Sequence, residues 1–229
     1  MNCFLDSNVV LGYIFTLDNI HHVTKNLVFK EGHSFCSINV TNEIEKVYWE
    51  KTCEYNEFLL KLKRILKKYG DNNLINEYDV HKKINTIQPI GKLKNKDMHL
   101  IVSILWETLN FDENHDSFDV KLRFNFFKMD FFKSNNVRKD KIFNKLILVP
   151  NHTKKDKVIL NMVKKEKLNK LLHDEDEDIL FDANEFCILN PELNLKFVSA
   201  DQDLLNVFDI LKSYLCIKES INVLYIKNS

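Results

Sequence analysis

A chain of 229 residues, 45% of them hydrophobic, is long enough to close a substantial core without disulfides or a structural metal. Its charge balances at zero, which taken alone argues against a nucleic-acid partner, and its five cysteines are scattered, odd in number and without a C-x-x-C pair, which argues against a disulfide frame or zinc knuckle. The longest apolar run, LIVSILW at 100–106, is too short to span a bilayer and no signal-peptide pattern precedes Asp6, so a soluble cytoplasmic protein with reduced thiols and no membrane partner is expected.

Glycine and proline are scarce, four and three, so helix should dominate. NCFLDSNVVLGYIF opens with an apolar strand at 2–6 that delivers Asp6 to the start of a helix over 7–16; Asp6 or Ser7 is also a candidate N-cap there. A second helix, entered by Asp18, is expected over 19–30. HSFCSINVTNEIEKVYWEK changes from a short β-branched run into a helix with Thr41 or Asn42 as N-cap, which puts Glu43 and Glu45 near its start. EFLLKLKRILKKYG at 57–70 has amphipathic helical spacing and a stop at Gly70, and 98–110 gives another apolar helix. From 111 to 157 the pattern is irregular, aromatic and basic, with a short strand at 145–149 before Pro150. Helix returns at 157–172 and in DEDILFDANEFCIL. LKFVSA then reads as a strand, DQDLLNVFDILKSYL as a helix and INVLYI as a final strand. Strand, helix and strand in that order predict parallel pairing in an α/β sheet, with the strands at 2–6 and 196–200 as neighbours.

The zero net charge hides an asymmetry. Lys121 to Leu172 holds 15 basic against 4 acidic residues, a net of +11, and HDEDEDILFDA then places Asp174, Glu175, Asp176, Glu177, Asp178 and Asp182 within nine residues. The first segment would attract a polyanion and the second a cation. The plainer alternative is two solvated faces that pair with each other. In LRFNFFKMDFFK the phenylalanines suit either base stacking or the core of an insertion. Lys154, Lys155, Lys157, Lys164, Lys165, Lys167 and Lys170 are the better candidates for phosphate contacts, because charge supplies most nonspecific affinity.

Four acidic sites share an address. Asp6 ends a strand, Glu43 lies near a helix start after a β run, Asp176 or Asp178 opens a helix, and Asp201, with Asp203 close by, follows a strand. Ligands of open parallel sheets collect beyond the carboxyl ends of the strands, so these groups can converge. Converging carboxylates repel unless a cation compensates them, and Mg²⁺ or Mn²⁺ suits an all-oxygen donor set.

FLDSNVVL resembles the opening of PIN-domain nucleases, in which the first strand ends in an aspartate followed by Ser or Thr and Asn. INVTNEIEKV is similar to their helix-borne glutamate, DEDILFDA fits D-x-x-I-L-x-x-A and selects Asp176, and KFVSADQDLL looks like their fourth acidic motif. The resemblance implies a three-layer α/β/α domain with a central parallel sheet, and RNA cleavage by a metal-activated water. It makes Asp6, Glu43, Asp176 and Asp201 the carboxylates of an Mg²⁺ or Mn²⁺ site, with Asp178, Asp182 and Asp203 as competing assignments. Ser7, Asn8 and Ser199 become nearby polar groups that orient ligands or water. The PIN-like domain would comprise 1–53 with 172–229. The 132 residues between Glu43 and Asp176 exceed what a compact PIN domain uses, so 54–171 is expected to be a mostly helical, basic insertion. RNA is the expected partner, and a protein partner, an antitoxin or a second copy of the chain is left open, as is a PIN-like module that binds without cutting.

Other chemistries lack their motifs. None of Arg64, Arg123 and Arg138 is followed five residues later by histidine, and there is no H-E-x-x-H, GK[ST] loop or G-x-S-x-G elbow.

Overall fold

The computed structural model describes residues 1–15, 21–29, 32–70, 73–108 and 115–225. Its elements begin with β1 (Cys3–Leu5), α1 (Ser7–Ile14), α2 (His21–Val28), β2 (Ser34–Ser37) and α3 (Ile38–Lys67). They continue with β3 (Leu74–Ile75), α4 (Glu77–Ile84), α5 (Asn95–Thr108), β4 (His115–Asp116) and α6 (Ser117–Phe143). The final part holds β5 (Ile147–Val149), α7 (Lys157–Lys165), α8 (Asp174–Leu189), β6 (Lys196–Ser199), α9 (Gln202–Leu211) and β7 (Glu219–Asn222). Two compact units divide the chain, Met1–Lys46 with Arg138–Ser229 and Val47–Val137.

The first unit is α/β, built on an all-parallel sheet in the order β5-β2-β1-β6-β7. Parallel neighbours need crossover connections, and here most of these carry helices. β1 and β2 are buried at every position, as strands covered on both faces must be, which fits a three-layer α/β/α arrangement. β1 and β6 are adjacent, with Cys3 opposite Lys196 and Leu5 opposite Val198. From β1 the chain steps outward to β2 and β5, then crosses to β6 and β7 on the other side. The strand order therefore reverses between β1 and β6, where an open α/β sheet leaves a crevice at its carboxyl edge. Phe4 stacks on Phe197 and Phe197 on Phe208, at 6.4 and 5.7 Å between ring centroids, and all three are fully buried. Gly32 holds φ at +121°, and a Cβ there would lie 2.1 Å from the Met1 carbonyl oxygen, so only glycine admits this approach beside the chain's first residues.

Several boundaries differ from the sequence expectation. The helix after β2 begins at Ile38, ahead of Thr41 and Asn42; Ser37 Oγ accepts the Val40 N–H at 3.4 Å, and the Thr41 hydroxyl donates back to Ile38 O. This helix continues to Lys67 and absorbs the segment expected to form a separate helix up to Gly70. Residues 117–143, read as irregular, are one helix. The expected insertion 54–171 includes β5, which pairs with β2, so that strand and α7 belong to the sheet unit. The helix expected over 157–172 ends at Lys165. The last strand starts at Glu219, two residues early, because Ser220 pairs with Phe197 and Ile221 with Val198. Asp18, proposed to enter the second helix, lies outside the described residues.

In the second unit β3 and β4 pair antiparallel, Leu74 opposite Asp116. Val120, Phe124, Phe127 and Phe131 form the buried stripe of α6 at i, i+4, i+7 and i+11. A polar chain also joins α4 to α5. His81 Nδ1 and His99 Nδ1 lie 2.6 Å apart, His99 Nε2 meets Asn85 Oδ1 at 2.8 Å, and Glu77 accepts from Ser103 Oγ at 2.7 Å and lies 3.0 Å from His81 Nε2. Only one proton fits between facing nitrogens this close. Burial, followed by the neighbouring His81, holds the His99 ring below its usual pKa. A histidine depressed in the fold contributes stability that is present above its unfolded pKa, about 6.5, and is lost as pH falls through the folded value. Hydrogen exchange of α4 and α5 amides is therefore expected to accelerate as pH is lowered from about 7.5 to 5, after correction for intrinsic exchange, and His99→Gln should remove that dependence. Equal pH dependence in the variant would show that the pair does not govern it.

Candidate functional site

Asp6 is fixed from four directions. Its Oδ1 accepts the Ser7 N–H at 2.6 Å, so it does cap α1, and the Ser7 hydroxyl at 3.3 Å. Its Oδ2 accepts from Asn8 Nδ2 and from Ser199 Oγ, each at 2.6 Å. Asn8 Oδ1 in turn accepts the Ala200 N–H at 2.9 Å, and Ser199 Oγ the Asp201 N–H at 2.9 Å, so one network ties the ends of β1 and β6 together at the strand-order reversal. Ser7, Asn8 and Ser199 thus surround the carboxylate that the sequence singled out.

A carboxylate with this many donors would ordinarily be easy to ionise. Asp6 is instead raised to about 7: burial is the largest cause, the Ser199 and Ser7 bonds oppose it, and the negative charges of Glu43 and Asp176 add to it. Glu43 is raised as well, by burial first, against a Ser7 bond, and then by Glu175 and Asp176. Asp176 is raised by burial first, opposed by the His173 N–H, and then by Asp201 and Glu175. Asp6, Glu43 and Asp176 are therefore linked by repulsion, with Asp201 joined through Asp176, while Lys46 opposes the rise at Glu43 and His173 the rise at Asp176. Among the described residues no Lys, Arg or His forms an ion pair with any of them. Glu43 Oε2 is buried without a hydrogen-bond partner, a costly state for a carboxylate oxygen unless something else binds it.

Two of the four also have structural duties. Asp201 caps α9 by accepting the Asp203 and Leu204 N–H groups at 2.8 and 3.1 Å, and Asp176 accepts the His173 N–H at the start of α8. The competing carboxylates are engaged elsewhere or exposed. Asp182 is buried and accepts from Asn39 Nδ2 at 3.1 Å and from the backbone and Nδ1 nitrogens of His152, both at 2.6 Å. Asp178 is bridged by Lys155 at 2.7 Å, and Asp203 is exposed. Lys155 also binds Glu177 at 2.7 Å, so at this lysine the basic and acidic segments do pair with each other. The other six candidate lysines, Lys154, Lys157, Lys164, Lys165, Lys167 and Lys170, are exposed.

A cavity of about 190 Å³ lies beside the acidic set, lined by Asn39, Asn42, Glu43, Lys46, Glu175, Asp178 and Ile179. The α3 residues among these fall at i, i+3, i+4 and i+7, one helical face. Sequence reasoning missed Asn39, Asn42 and Lys46; the same spacing would have found them had the helix been started at Ile38.

No group of three or more His, Cys, Asp or Glu among the described residues is assembled to hold a metal ion. The donor chemistry nevertheless suits a hard divalent cation: all four groups are carboxylates, they repel one another, and one buried oxygen has no partner. No helix among the described residues is long and apolar enough to cross a membrane. No protein-family model, curated protein or solved structure matches this chain.

Proposed function

We propose that this protein is a PIN-type, Mg²⁺- or Mn²⁺-dependent endoribonuclease with Asp6, Glu43, Asp176 and Asp201 as its acidic centre. The observation that carries this reading is the Asp6 carboxylate held by Ser7, Asn8 and Ser199 at the β1–β6 reversal, together with a Glu43 oxygen that is buried without a hydrogen-bond partner; the negative charges of Glu43 and Asp176, which help to raise Asp6, support it. A divalent cation held by these groups would supply an activated water and stabilise the leaving oxygen of a phosphodiester. The chain's own part is to aim and to recruit. Ser7, Asn8 and Ser199 fix the direction of the Asp6 carboxylate, and Lys46 sets a positive charge on the cavity wall beside Glu43. The competing reading is a PIN-like module that binds RNA or a protein without cutting, and on its side stands the finding that no group of three or more His, Cys, Asp or Glu among the described residues is assembled to hold a metal ion. Cleavage of RNA with Mg²⁺ or Mn²⁺, compared between the parent and Asp6→Asn, decides between them.

RNA recruitment falls to the exposed lysines, because a crevice of carboxylates repels a polyanion. Replacing Lys154, Lys157, Lys164, Lys165, Lys167 and Lys170 with Gln should weaken RNA binding and flatten its dependence on log salt by roughly 0.7 for each single-strand phosphate that is no longer neutralised. Turnover of bound RNA should change less than affinity. Lys155 is left in place because its removal would strand Glu177 and Asp178. Unchanged affinity and salt slope would reduce the lysine run to a solvated face.

A further inference from the structure

We infer that Cys187 and Cys216 are a redox modification site that closes to an intramolecular disulfide when the protein meets a peroxide. Cys187 lies in the last turn of α8 and Cys216 in the segment between α9 and β7, and their sulfurs are 2.9 Å apart. That is about 0.9 Å longer than an S–S bond. The approach is anchored on both sides. The Cys216 N–H donates to Asn184 Oδ1 at 2.7 Å, one helical turn before Cys187, and the neighbours Leu215 and Ile217 are buried. None of this network belongs to the carboxylate site, so the inference does not depend on the nuclease reading.

The two sulfurs have different parts. Cys187 is buried and its thiol donates to Cys216 Sγ; burial, then that bond, holds its pKa above the usual thiol value. Cys216 is half-buried and is the sulfur that meets the oxidant. Attack of Cys216 sulfur on hydrogen peroxide forms an S–O bond and breaks the O–O bond; the Cys216 thiol proton leaves with the departing hydroxide as one water, and a sulfenic acid remains. Cys187 sulfur then attacks Cys216 sulfur, the S–S bond forms, the S–O bond breaks, and the Cys187 proton leaves with the hydroxyl as a second water. Both thiols are oxidised and the peroxide is reduced. The product staples the far end of α8, whose first turn carries Asp176, to the lead-in of β7, and a reductant such as dithiothreitol reverses it.

The other cysteines supply internal controls. Cys3 and Cys36 are buried on strands, and Cys53 is exposed on α3. After treatment of the full chain with hydrogen peroxide, a non-reducing peptide map should show a Cys187–Cys216 crosslink and a free Cys53 or its oxygen adducts. The melting temperature should rise by several degrees and return on reduction. Cys187→Ser should lose the crosslink and leave Cys216 as a sulfenic or sulfinic acid. A parent map with Cys216 oxidised to the acid and Cys187 still a free thiol would overturn the inference, as would five unmodified thiols or a crosslink between any other pair.

Discussion

Asp6→Asn should lower Mn²⁺-supported RNA cleavage by roughly 100-fold or more, the scale of loss when one preorganised charge-stabilising group is removed. Asparagine keeps the shape of the side chain and removes its charge. Its Oδ1 can still accept the Ser7 N–H that caps α1, and its amide can donate to the Ser199 hydroxyl, which would turn to accept. The Asn8 amide loses the shorter of its two acceptors and keeps Ser199 Oγ at 3.2 Å, a cost of about 1 kcal/mol, while the repulsion from Glu43 and Asp176 is relieved. Folding should therefore survive, and circular dichroism with thermal melts checks it in the same preparation. A variant that cleaves as fast as the parent would show the site to be misassigned. A well-folded parent that binds RNA but cuts with neither metal would favour the binding module.

What the sequence disclosed about this site, and what it hid, follows from the physics of each element. β1 was readable because a strand buried on both faces appears as an uninterrupted apolar run, and β6 because only its first residue, Lys196, which pairs with Glu219, departs from that pattern; in each the polar residue that ends the run marks the sheet's carboxyl edge. α3 was misplaced because Ile38 and Val40 extend the β-branched pattern of the strand, while the group nearest the helix's first turn, Ser37, is itself a strand residue. That error put Glu43 in the first turn instead of the second and concealed the cavity face it shares with Asn39, Asn42 and Lys46. α6 was illegible for a different reason. Beside its buried stripe it carries Phe118, Leu122, Phe126 and Met129 exposed on another face, so apolar residues occur around the helix and no amphipathic contrast remains. The choice among Asp176, Asp178 and Asp182 depends on His152 and Lys155, partners more than twenty residues away along the chain, and no local pattern encodes that.

The metal-free protein is expected to lose stability as pH rises from about 4 to about 7, opposite to the behaviour of an ordinary salt-bridged carboxylate. An unfolded aspartate ionises near 3.9, whereas Asp6 in the fold is raised to about 7, chiefly by burial. Between those values the native state holds a proton that the unfolded chain has released, so the stabilisation present below the unfolded pKa is lost as pH rises through the folded one. For Asp6 alone the change is on the order of 4 kcal/mol. Glu43 and Asp176 are raised too and act with the same sign. Urea or thermal unfolding between pH 5 and 8 in a chelating buffer measures this slope, and Asp6→Asn should flatten most of it. A bound divalent cation acts in the opposite direction, since it favours the ionised carboxylates of the native state: at pH 8, Mn²⁺ should raise the melting temperature in a concentration-dependent way, and Asp6→Asn should largely abolish the rise. If parent and Asp6→Asn share the same pH slope, burial of Asp6 is not what sets it. If the slope is as expected but neither Mn²⁺ nor Mg²⁺ raises the melting temperature at pH 8, the four carboxylates form a strained acidic cluster that no metal relieves, and the nuclease reading falls with it.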